Sequence, residues 1–135
     1  MNYKRGDVVM LLFPHSDLVT AKRRPALIVQ SDNIATGIAQ KVVAMRTSNL
    51  QRTGSTRVQV EAQSEAGRAM GIQVDSVIVC DNLATVLNDQ IDTMIGHCPI
   101  MPIVDVALKT VLALHETIPN PPADKKPADQ MTVIT

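Results

Sequence analysis

A chain of 135 residues has room for one substantial hydrophobic core, and its 45% hydrophobic and 19% charged content excludes a disordered polypeptide. Lys plus Arg and Asp plus Glu balance at 13 each, which excludes a global basic field. One Tyr, one Phe and no Trp exclude the usual aromatic platform for stacking single-stranded bases.

Met1 to Asp7 lacks the apolar stretch of a signal peptide, and no apolar run has the length of a membrane span. A cytoplasmic protein with no membrane partner is expected. Cys80 and Cys98 then stay reduced. Neither has a CxxC partner or a histidine at ligand spacing, so no metal site and no cofactor is expected.

In chain order, Arg5-Gly6-Asp7 reads as a turn and Val8 to Phe13 as a buried first strand. Pro14 to Asp17 breaks it, and a loop leads to Lys22-Arg23-Arg24-Pro25. Pro25 fixes its own φ and extends Arg24. Strand two covers about Ala26 to Gln30, stopped by Ser31-Asp32-Asn33. The cations therefore sit at the mouth of a core strand. They are either a solvated basic turn or a pre-positioned grip for phosphate, to which arginine presents a matching fork of donors.

Lys41 to Met45 reads as strand three, ending in Arg46-Thr47-Ser48-Asn49. Arg57 to Glu61 alternates as a half-exposed strand does. Ala62 to Ala69 reads as a polar connection, Ser76 to Cys80 as a fifth strand and Ala84 to Leu87 as a short sixth. Asn88 to Met94 reads as a turn or short helix. Ile100, Ile103, Val104, Ala107, Leu108, Val111 and Leu114 recur at helical spacing, with Pro102 suited to a first turn. Residues 1–118 form the expected domain, and the Pro-rich 119–135 a flexible tail. The expected class is mainly β (α+β), a small curled antiparallel sheet or barrel covered by a C-terminal amphipathic helix.

Four motifs in order carry a resemblance. Arg5-Gly6-Asp7-Val8-Val9, Lys22 to Val29, Thr47-Ser48-Asn49-Leu50, and Gly71-Ile72 followed by Asp75 to Asp81 resemble the PemK/MazF toxins of type II toxin–antitoxin systems. The resemblance runs from about Lys4 to His115. It implies an SH3-like antiparallel barrel, a homodimer, a cognate antitoxin partner and metal-independent, sequence-specific cleavage of single-stranded RNA or mRNA, inhibiting translation and growth. It places the key arginine on Arg24 and the key threonine on Thr47. One departure stands out. Many members follow the Cys-Asp pair with Gln-x-Arg-Thr, where this chain has Asn82-Leu83-Ala84-Thr85.

Cleavage of that kind uses the neighbouring 2′-OH as nucleophile. The protein must accept its proton, stabilise the phosphorane and help the 5′-oxygen leave. Arg24 and Thr47 are the catalytic candidates. Asp81 and His15 are the candidates for a base or an orienting group. Lys22, Arg23, Arg46, Ser48, Asn49, Arg52 and Arg57 are the candidates for lining the RNA path. His97 and His115 read as structural. Two other functions fit such a scaffold: a non-enzymatic CcdB-like inhibitor of DNA gyrase, and an inactive relative kept for binding. Arg24 and Thr47 favour RNA cleavage, because a gyrase binder does not need them.

Overall fold

The computed structural model describes residues 2–14 and 21–114. His15, His115 and the Pro-rich tail therefore lie outside the described residues. Six strands form one antiparallel sheet: β1 (Asp7–Pro14), β2 (Ala21–Ile28), β3 (Gln40–Thr47), β4 (Arg57–Val60), β5 (Ser76–Leu87) and β6 (Ile91–His97). Two helices accompany them, α1 (Glu65–Met70) and α2 (Met101–Leu112). No helix among the described residues is long and apolar enough to cross a membrane.

The strand order is β4-β5-β3-β2-β1-β6. The sheet is therefore open, with β4 and β6 as its edges, and it does not close into the expected SH3-like barrel. Alternation along the strands divides the apolar residues between two faces. One face buries Val9, Leu11, Ala26, Ile28, Val43, Val86 and Ile91, and no helix residue belongs to that cluster. It is nonetheless sealed: Val9, Leu11, Ala26, Ile28 and Val43 are 0% exposed, with Tyr3, Met45 and Ala84 packed against the cluster. Full burial of each branched side chain in this set, Val9, Leu11, Ile28 and Val43, is worth about 1.5–3 kcal/mol.

The other face carries both helices. Val8, Leu27, Ala44, Val58, Val60, Ile78 and Cys80 of the strands pack there with Met70, Val104 and Ala107. Of the apolar set expected on α2, Val104 and Ala107 are buried while Ile103 and Leu114 are exposed. Ile100, Leu108 and Val111 of that set are half-buried and pack against the same cluster. Pro102 occupies the first turn, and Ala113 ends the helix with φ 57°.

Three elements depart from expectation. The polar connection at 62–69 contains α1, capped by the Ser64 hydroxyl, which accepts from the Gly67 N–H at 2.9 Å. The turn or short helix expected over Asn88 to Met94 is found only at Asn88–Gln90, a single 3-10 turn, and Ile91–His97 pairs with β1 as β6. The fifth and sixth expected strands are one strand, β5, bent where its register against β3 jumps from Leu83 to Val79. That bend lets β5 serve β4 with one half and the start of β3 with the other. Helix α1 closes tightly on β6, since a methyl at Gly71 would meet the Ile95 carbonyl and one at Gly96 the end of α1.

Candidate nucleic-acid interface

The lysine–arginine stretch lies inside β2, not in a turn ahead of it. β2 pairs with β1 from Ala21 to Leu27, with Leu11 opposite Arg24 and Met10 opposite Pro25. On its other side, pairing with β3 starts only at Ala26 opposite Met45. Pro25 has no N–H to donate, and it stands at the point where that ladder stops. Beyond it β2 and β3 part. Continuing the register by two residues sets Arg24 opposite Thr47.

The parted ends open a depression of about 360 Å³. Arg24, Met45, Arg46, Thr47, Arg52, Val79, Asn82 and Ala84 line it. Alternation explains part of this set, because Met45 and Thr47 share the β3 face that Val43 buries. The turn after β3 supplies Arg52. The Thr47 hydroxyl oxygen accepts from the Asn49 N–H at 3.1 Å, and Asn49 Oδ1 accepts from the Gln51 N–H at 3.1 Å. The Arg52 N–H donates to the Asn49 carbonyl at 3.2 Å. This turn leaves the Thr47 O–H proton free to donate outward.

The three arginines of the depression are not ion-paired among the described residues. Arg24 is exposed and Arg46 half-buried. Burial holds the Arg46 guanidinium below its ordinary value, and its Nε is sealed from water without a hydrogen-bond partner among the described residues.

The remaining candidates fall elsewhere. Arg23 faces away from Arg24 on β2 and pairs with Asp92 at 2.8 Å. Lys22, Ser48 and Asn49 are exposed and do not line the depression. Arg57 is bound to Asp81, Nε to Oδ1 at 3.0 Å and Nη2 to Oδ2 at 2.8 Å. That hydrogen bonding holds the Asp81 carboxyl below the usual range and raises Arg57. His97 is half of a pair with Asp7 at 3.0 Å, on the far side of the sheet order from β4. No group of three His, Cys, Asp or Glu among the described residues is placed to hold a metal ion. Residue type gave no hint that Met45, Val79 and Asn82 would form the walls; the register of β3 against β5 does.

Fold and depression together define a small α+β protein with an arginine-rich, acid-free recess at the end of a strand pair. A family model described as PemK-like, MazF-like toxin of type II toxin-antitoxin system matches residues 4–112. The chain belongs to that family. No curated protein matches it. Among solved structures it resembles a mycobacterial endoribonuclease in complex with its cognate antitoxin, at 24% identity and TM-score 0.64, covering 86% of this chain and 100% of that one. A second mycobacterial endoribonuclease is 26% identical, with TM-score 0.63 and coverage of 87% and 98%. A chain of a MazE–MazF structure from Deinococcus radiodurans is 17% identical, with TM-score 0.60 and coverage of 84% of this chain and 98% of that one.

Proposed function

We propose that this chain is the toxin component of a toxin–antitoxin pair and a metal-independent endoribonuclease that cuts single-stranded RNA in the cytoplasm. The observation that carries this reading is the meeting of Arg24 and Thr47, distant in sequence, in one recess with Arg46 and Arg52 and no paired acid among the described residues. Such a recess suits a phosphodiester. Inhibition of gyrase by binding would make no use of it.

In the proposed reaction the ribose 2′-oxygen attacks the adjacent phosphorus and gives up its proton to a base. A 2′-O–P bond forms, the 5′-O–P bond breaks, and the departing 5′-oxygen takes a proton. Arg24 stabilises the charge on the phosphorane oxygens, and the Thr47 hydroxyl donates to one of them. His15 is the proposed base. Asp81 would first have to release Arg57. A cognate antitoxin is the proposed partner, by analogy with the mycobacterial neighbour solved with its own. A homodimer is the proposed assembly.

The test is incubation of single-stranded RNA with the purified protein in EDTA, with both product ends mapped. A 2′,3′-cyclic phosphate facing a 5′-OH is expected. One deoxyribose immediately 5′ of the scissile phosphate should abolish cutting and leave binding largely intact. A 5′-phosphate product would mean that water attacks instead.

A further inference from the structure

The turn between β3 and β4 is fastened at both ends. At its start the Thr47 hydroxyl oxygen and Asn49 Oδ1 accept from the Asn49 and Gln51 N–H groups. At its far end Arg57 Nη1 donates to the Thr53 carbonyl at 3.1 Å, and the Arg57 N–H donates to the Gly54 carbonyl at 3.1 Å. The other two nitrogens of that guanidinium grip Asp81. Asp81 stands in the bend of β5, among the residues that the register against β3 passes over. A planar fork fixed by a carboxylate at two nitrogens aims its third in a set direction, which an ammonium cannot do. The carbonyl it reaches is one residue beyond Arg52.

Arg52 is exposed, lines the recess and joins no ion pair among the described residues. Arg46 borders the same recess, but alternation turns its side chain to the helix-bearing face, opposite Ile78. On the β5 side Val79, Asn82 and Ala84 bring no charge. An anion entering the recess therefore meets one guanidinium from β2, Arg24, and one from the turn. Arg24 and Thr47 take the scissile phosphate, and a strand of RNA brings its next phosphate one nucleotide along. We propose that Arg52 grips that neighbouring phosphate and that Arg57 is its positioning residue, fixing the turn through the Thr53 carbonyl while Asp81 fixes Arg57. A turn held beforehand loses less freedom when its arginine binds, so the grip is tighter. This inference rests on the RNA reading above and names a subsite, with its support, within it.

The experiment measures binding of a single-stranded RNA carrying its mapped cut site, made uncleavable by one deoxyribose, across a range of salt. Each lost phosphate contact removes about 0.7 from the slope of log affinity against log salt on a single strand. Arg52→Ala should lose that much slope and weaken binding at low salt on the order of tenfold or more. Arg52→Ala combined with Ala84→Arg should regain it, because residue 84 lines the same recess. Arg57→Lys keeps the charge but cannot hold Asp81 twice and the Thr53 carbonyl as well. It should weaken binding roughly three- to tenfold, and in an Arg52→Ala background it should change affinity no further. On cleavable RNA both single variants should raise KM more than they lower kcat. Thermal melting monitors folding, and Arg57→Gln replaces Arg57→Lys if the latter does not fold.

A wild-type slope and KM in folded Arg52→Ala overturn the phosphate contact. Wild-type affinity in Arg57→Lys overturns the positioning role, and so does an equal loss with and without Arg52, which would mark Arg57 as acting elsewhere in the fold. If wild type neither binds nor cuts RNA, the RNA reading fails by itself, and inorganic pyrophosphate then decides the subsite. Thermal stabilisation by pyrophosphate that needs Arg52 and weakens in Arg57→Lys keeps the pair, and its absence overturns it.

Discussion

Asp81 is held by Arg57 across the β4–β5 ladder, through two parallel hydrogen bonds, and it does not line the recess that contains Arg24. The carboxylate that follows Cys80 thereby ties the short edge strand to the bend of β5. Asp81→Asn should retain RNA cleavage and lower the melting temperature at neutral pH. The sign of the pH dependence follows from the depressed carboxyl. Its folded pKa lies below the unfolded one, so its stabilisation is full above the unfolded value and is lost as pH falls through the folded one. Melting temperatures of wild type and Asp81→Asn should converge in that acid window. Loss of cutting with the fold intact would return Asp81 to the role of base.

Arg24→Ala and Thr47→Ala should each lift growth arrest when the chain is expressed alone. Removing one preorganised donor to a transition-state oxyanion costs about 10²–10³ in rate. Arg24 should be the costlier loss, since its contact is charge-assisted. Both variants should melt near the wild-type temperature, because neither residue belongs to a buried cluster. A folded Arg24→Ala protein that still arrests growth would sink the assignment.

Cys80 and Cys98 are free and buried on the helix-bearing face. Burial, followed by the Asp81 charge and then Cys98, pushes the Cys80 thiol up to about 11, and burial raises Cys98. A thiol-reactive dye at mildly alkaline pH should therefore label neither cysteine in the native protein and both in urea. Unfolded thiols ionise at lower pH than folded ones. Stability should accordingly decline as pH rises from the ordinary thiol value towards 11. Rapid native labelling at stoichiometric yield would contradict this burial.

Ala113 ends α2 in the left-handed region at φ 57°, with its N–H directed to the Lys109 and Thr110 carbonyls. Glycine adopts that conformation without a steric penalty at its Cβ. Ala113→Gly should stabilise the protein by about 1 kcal/mol, measured by chemical denaturation, because relieved strain on the order of 1–3 kcal/mol exceeds the roughly 0.5–1 kcal/mol that glycine's freedom costs. A destabilised variant would show that the added freedom of the unfolded chain outweighs the relieved strain.

Helical spacing made α2 legible and strict alternation made β4 so, while unbroken apolar runs marked β1, β2, β3 and the two halves of β5. Helix α1 escaped because six residues are too few for a repeat. Its signals were the Ser64 cap and Gly71, which the polar surroundings masked. β6 escaped because the strand carries one buried residue, Ile91, and exposes Asp92, Thr93 and Met94. At the recess, Arg24 and Thr47 could be named from motif order. Their proximity to Arg46, Arg52 and Asn82 depends on where the β2–β3 ladder stops and how β5 bends, and both are properties of register between distant strands.

An open sheet leaves two rows of backbone donors and acceptors that another copy of the chain can read as a template. Here neither row is long or straight. β4 spans only Arg57–Val60, and β6 changes register twice against β1. Such interrupted margins give an approaching strand little to zip onto. The chain can therefore keep its sheet unclosed and still resist edge-to-edge polymerisation as its concentration rises.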